Sequence, residues 1–101
     1  MRNAMIINEK DNVIVAIEPI TAGSEAVYRL NGEYHKLPAA DNIPMYHKLA
    51  RTDIAQGAQV IKYGEYIGEA GCAIAAGSHV HTHNVRSVRE RVTDERKGII
   101  K

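Results

Sequence analysis

Apolar residues occur along this chain in short runs broken by glycine, proline and polar pairs, not at helical spacing. Asn12 to Ile20 (NVIVAIEPI) is rich in β-branched residues and predicts a buried strand, closed by the turn Thr21-Ala22-Gly23-Ser24. Glu25 to Leu30 and Glu33 to Leu37 flank Asn31-Gly32, a strong hairpin signal. Residues 38–44 form a loop bounded by two prolines. In the second half, strands are predicted over His47 to Arg51, Gln59 to Tyr63, Tyr66 to Ile74 and Ser78 to Val85. The turns between them fall at Gly64-Glu65 and at Ala75-Ala76-Gly77. One short helical turn is expected at Thr52 to Gly57, capped by Thr52 or Asp53. DIAQGAQV (53–60) and AIAAGSHV (73–80) echo each other weakly. Short strands with frequent glycine turns indicate an all-β domain.

Composition narrows this picture. The 101 residues fit one domain, and the core must be aliphatic because Phe and Trp are absent and all five aromatics are Tyr. From Arg86 onward the sequence turns strongly charged, so the domain is set at 1–88, with 89–101 a charged C-terminal tail outside the core. A net charge of +1 gives no broad pull toward nucleic acid or membrane. A single cysteine, Cys72, excludes an internal disulfide framework and fits a reducing cytoplasm. Its apolar flanks predict a buried, inert thiol. The opening MRNAMIINEKDN has no apolar core of signal-peptide type, and nothing later reaches membrane-span length.

The chemistry concentrates in His79-Val80-His81-Thr82-His83-Asn84. On a straight strand the three imidazoles share one face, with the outer two roughly 13 Å apart. That span lets at most two of them reach one metal ion, and neutral imidazole is a good ligand for transition metals. The spacing is equally compatible with an exposed polar strand. His47-Lys48 is a second candidate, an anion-binding pair for a carboxylate, set against the plainer reading of an exposed strand lysine. No nucleophile elbow, phosphate loop or dinucleotide fingerprint is present.

These phrases together resemble a known family. HKLARTDIAQGAQVIKYGEYIGEAGCAIAAGSHVHTHNV (47–85) is similar to the SAF (β-clip) domain of altronate and galactarate dehydratases. That domain carries a His-Lys-x-Ala start, an Asp-Ile-x-x-Gly turn, a Val-Ile-Lys-Tyr-Gly segment and a Gly-x-His-Val-His-x-His-Asn ending. Asp11-Asn12-Val13 matches the family's opening, so the likeness covers residues 11 to 85. Tyr46 departs from it, standing where the family often has Gly, and Ala73-Ile74 stands where Asp-Ile is common.

The resemblance implies a β-clip fold of short strands with at most short helical turns. It also implies a small subunit, inactive alone, working with a separate large dehydratase subunit on a sugar acid. The reaction would be metal-assisted β-elimination of water, in which a base takes the proton α to the carboxylate and a divalent metal, Fe(II) in this family, acts as Lewis acid. His81 and His83 are the expected metal contacts. His47, Lys48, His79 and Asn84 are the expected substrate contacts, and the base would lie on the large subunit. The alternatives are the small subunit of a sulfolactate sulfo-lyase and a non-catalytic carbohydrate-binding module. Association of the chain with further copies of itself stays open.

Overall fold

The computed structural model describes residues 2–87, so the expected tail at 89–101 lies outside the described residues. Nine short strands follow in order: β1 (Ala4–Met5), β2 (Val13–Ala16), β3 (Glu25–Leu30), β4 (Glu33–Pro38), β5 (Lys48–Ala50), β6 (Gln59–Lys62), β7 (Glu65–Ala70), β8 (His79–Val80) and β9 (Val85–Ser87). They form a four-stranded sheet β1-β2-β5-β8, a hairpin β3-β4 and a three-stranded sheet β6-β7-β9, all antiparallel. No helix occurs among the described residues, and none is long and apolar enough to cross a membrane. The architecture is all-β, that of a small β-clip.

The weak sequence echo marks one pair in a set of four equivalent turns. Thr21–Ser24, Pro44–His47, Ala55–Ala58 and Ala75–Ser78 are each closed by a bond from the fourth residue's N–H to the first residue's carbonyl, at 2.9, 3.0, 3.0 and 3.0 Å. The third residue of each has positive φ: Gly23 at 90°, Tyr46 at 69°, Gly57 at 84° and Gly77 at 87°. This is type II turn geometry, which favours glycine at that position. Tyr46 therefore holds a conformation that its three counterparts leave to glycine. An isoleucine precedes every turn, and these pair as isolated bridges, Ile20 with Ile43 and Ile54 with Ile74.

The two halves thus repeat one plan: Ile bridge, type II turn, hairpin, Ile bridge, type II turn, central strand. Both hairpin tips have two successive positive-φ residues, Asn31-Gly32 at 53° and 81° and Tyr63-Gly64 at 61° and 73°. The second tip is thus one residue earlier than the expected Gly64-Glu65. The expected helical turn at 52–57 is replaced by the Ile54 bridge and a type II turn, and Asp53 caps no helix. Its Oδ1 instead accepts the Ala76 N–H at 2.8 Å, as Asn42 Oδ1 accepts that of Ala22 at 2.8 Å.

Two cores lie on opposite faces of the four-stranded sheet. Ile14, Ala16 and Leu49 pack with Ile20, Ala26, Tyr28 and Ile43 on one face. Val13, Ala50 and Val80 pack with Ile54, Val60, Ala70 and Ile74 on the other. Strand alternation divides neighbours between them, Leu49 to the first and Ala50 to the second. Buried alanines let the layers approach closely in a chain without Phe or Trp. Asp11 is buried because both carboxylate oxygens are satisfied, by the N–H groups of Asn8 (3.0 Å) and Gly64 (2.7 Å). Cys72 is exposed, contrary to the buried thiol expected: it lies in the bend that precedes Ile74, and only the isoleucine turns inward.

Candidate functional site

The site is set by the register between β5 and β8. Lys48 pairs with Val80 and Leu49 with His79. One further step along this antiparallel ladder sets His47 opposite His81, and their rings stack at 4.1 Å between centroids. Diagonally, His47 Nδ1 lies 2.8 Å from His79 Nε2, a distance at which one ring's N–H donates to the other's lone pair. His79 and His81 are near-parallel, 5.7 Å apart. A register slip of one residue would turn His79 to the other face and dissolve the group.

The histidine run is not a straight strand. β8 ends at Val80, and residues 81–84 make a turn closed by the Asn84 N–H on the His81 carbonyl at 3.1 Å. The Asn84 side chain locks it: Oδ1 accepts the His81 N–H at 2.9 Å, and Nδ2 donates to the His79 carbonyl at 2.8 Å. Asn84 is buried to do so. The roughly 13 Å span expected for an extended run is consequently lost. His83 folds back onto His79, with ring centroids 5.2 Å apart. Asp41 fixes the start of the run by accepting the His79 N–H at 2.9 Å.

Four of the five histidines therefore converge. His35, the fifth, stacks on Tyr28 in the first core region at 5.4 Å. His47, His79 and His81 each offer a ring nitrogen, all within 4.8 Å of one another. His83 is a neighbour of this trio but not a member of the group. Lys48 belongs to the opposite sheet face, because it alternates with His47 and Leu49. Partial burial is the largest influence holding His79 below the ordinary imidazole value; His47, His83 and His81 add to it, and Asp41 opposes it. His81 is lowered likewise by desolvation, then by His47, Lys48 and His83.

This donor set fits a transition metal. Neutral imidazole suits iron, zinc, copper and nickel. Metal–nitrogen bonds of about 2.0–2.1 Å require donor separations of about 2.9–3.3 Å; the His47–His79 pair stands at 2.8 Å, and all three nitrogens lie within 4.8 Å of one another. The trio itself contains no carboxylate, and the nearby Asp41 carboxylate accepts the His79 backbone N–H. Tyr46 and Met45, both exposed, form the turn that delivers His47. Sequence reasoning found every histidine of the cluster. It missed Asp41, whose role was hidden because it depends on a loop crossing to β8.

Comparison with known proteins agrees with this geometry. Residues 2–88 match the family model of the altronate/galactarate dehydratase SAF domain. The chain is 43% identical over 81 residues to altronate dehydratase of Escherichia coli, covering 80% of this chain but 16% of that enzyme. It is 34% identical over 88 residues to (2R)-sulfolactate sulfo-lyase subunit alpha of Chromohalobacter salexigens, covering 83% of this chain and 94% of that subunit. The corresponding subunit of Paracoccus pantotrophus is 43% identical over 54 residues, 54% of this chain and 81% of that protein. The matched span takes in both halves of the duplicated fold and the whole imidazole cluster, and on that basis the chain belongs to the altronate/galactarate dehydratase SAF domain family.

Proposed function

We propose that this chain is the small subunit of a lyase that eliminates water from a hydroxy acid together with a separate large dehydratase subunit. The observation that carries this reading is the trio His47, His79 and His81, whose ring nitrogens lie within 4.8 Å with no carboxylate among them. With its ring nitrogens given to a metal ion, such a group would bind and polarise substrate oxygens, and this reading assigns proton abstraction to the large subunit. A divalent ion such as Fe(II), if held by these three nitrogens, would act as a Lewis acid on substrate oxygens. His83, tilted against His79, would contact what binds there, and Asn84 and Asp41 hold the run in position. The expectation that His81 contacts metal is kept. The fold offers His47 and His79 as its companions ahead of His83.

A second reading, the small subunit of a sulfo-lyase that releases sulfite, is favoured by one observation. The match to the sulfo-lyase subunit covers 94% of that protein, whereas the match to altronate dehydratase covers 16%. Reconstitution with a large dehydratase chain from the same organism tests both. Dehydration of altronate or galactarate by the pair, and by neither chain alone, supports the first reading. Sulfite release from sulfolactate supports the second. Turnover by this chain without a partner would refute the two-subunit reading.

A further inference from the structure

The chain carries six asparagines, all among the described residues. Five are fastened through their side chains. Asn3 Oδ1 accepts the Val27 N–H at 2.7 Å, and its Nδ2 donates to the Glu25 carbonyl at 3.0 Å. Asn8 Oδ1 accepts the Lys10 N–H at 2.9 Å. Asn12 Oδ1 accepts the Ile61 N–H and its Nδ2 donates to the Gln59 carbonyl, both at 2.8 Å. Asn42 holds the Ala22 N–H, and Asn84 holds His79 and His81. The Asn31 side chain alone has no hydrogen bond to a described residue. Asn31 is also the one asparagine followed by glycine.

Asn31 and Gly32 form the tip of the β3–β4 hairpin, with φ of 53° and 81°, and both are exposed. The corresponding tip of β6–β7 is pinned. There the Gly64 N–H donates to the buried Asp11 carboxylate at 2.7 Å, and a Cβ at Gly64 would strike the Asn8 side chain. The Gly32 N–H has no acceptor among the described residues, and a Cβ at Gly32 would meet open space. An amide without an acceptor gives up its proton to solvent more readily than a bonded one. A glycine nitrogen can also approach another carbon without hindrance from a side chain.

We propose that Asn31 is a site of spontaneous covalent modification, converting to aspartate and isoaspartate through attack by the Gly32 nitrogen. That nitrogen gives its proton to solvent and bonds to Asn31 Cγ. The Cγ–Nδ2 bond breaks, and ammonia leaves with a proton taken from water. Water then opens the five-membered imide at one of its two carbonyl carbons. Opening at Cγ gives aspartate, and opening at the Asn31 main-chain carbon gives isoaspartate. The nitrogen reaches Cγ only when Asn31 rotates out of the left-handed conformation, so the step runs through local opening of the tip. Opening costs little where four successive residues, Asn31 to Tyr34, are exposed. Isoaspartate lengthens the main chain by one methylene between β3 and β4, and the closing pair Leu30↔Glu33 loses its register.

The test is peptide mapping by mass spectrometry of the full folded chain, held for days in neutral and in mildly alkaline buffer. A gain of one mass unit is expected at Asn31, and conversion about tenfold or more slower at each of the five fastened asparagines. The gain should be faster at the higher pH, because the Gly32 nitrogen must lose its proton. Its product should divide between aspartyl and isoaspartyl peptides, and the isoaspartyl fraction should unfold at a lower denaturation midpoint. Asn31→Gly keeps a residue suited to the turn and should abolish the gain with the fold retained. A folded chain that stays unmodified at Asn31, while the same chain in denaturant converts there, would overturn the site. Conversion of the five fastened asparagines at the rate of Asn31 would overturn it equally.

Discussion

His47 Nδ1 and His79 Nε2 lie 2.8 Å apart although the two residues are 32 positions distant in sequence. Their meeting follows from the duplicated plan. In the first half, the N–H of Tyr46 and the carbonyl of His47 bond to Ala16; in the second, the N–H of Gly77 and the carbonyl of Ser78 bond to Ala50 in the same pattern. The two type II turns therefore launch β5 and β8 as antiparallel neighbours, and His47, just before β5, meets His79, the first residue of β8, diagonally on one sheet face.

Asn84 is the residue on which the folded-back run depends. Replacing it with Ala removes two side-chain bonds, to the His81 N–H and the His79 carbonyl. The expected loss is about 1–3 kcal/mol of folding stability, read as a lower denaturation midpoint. Asn84→Asp keeps the acceptor for His81 but not the donor for His79, and should fall between Ala and the wild type.

The four turns should respond unequally to substitution. At Gly57 an added Cβ meets open space, so Gly57→Ala carries only the positive-φ strain of about 1–2 kcal/mol. At Gly77 the same Cβ would run into the Pro38 carbonyl oxygen, so Gly77→Ala should lose about 2–4 kcal/mol. Tyr46→Gly relieves strain at φ 69° but loosens the unfolded chain, for a net gain of roughly 0.5–1 kcal/mol. Chemical denaturation of the three variants checks the order.

Acid should loosen the metal-free chain. His79 and His81 have folded-state values below the ordinary imidazole value, mainly through desolvation. The unfolded chain then binds more protons than the folded one as pH drops below about 6.5, so stability falls in that direction and is fully present above it. Thermal midpoints from pH 8 to pH 5 should show this decline, and His79→Gln should flatten it. A midpoint that rises on acidification would contradict the assignment.

Much of the fold was legible because local chemistry dictated it. Asn31-Gly32 announced its hairpin, and the β-branched run at 13–16 its strand. The short strand β1 escaped notice because two residues leave no periodicity to read. Thr, Asp and Gly mark a helix end and a type II turn alike, so the sequence at 52–57 reads as a helical turn where the chain makes a type II turn. The histidines were visible as a run, yet their geometry was not. The i, i+2, i+4 spacing implies a straight strand, whereas the Asn84 side chain bends the chain after Val80. His47 was found only as half of a dipeptide with Lys48, and the fold assigns the two to opposite faces.

The central claim is that His47, His79 and His81 act as one site. Calorimetric titration of the full chain with Zn(II), and anaerobically with Fe(II), tests it most directly. One ion per chain should bind at neutral pH, weaken as pH falls below about 6.5, and be lost in His47→Ala, His79→Ala and His81→Ala. Binding should be retained in His35→Ala, whose ring stacks on Tyr28 instead. Equal affinity in the wild type and in folded His47→Ala and His81→Ala chains would contradict the claim.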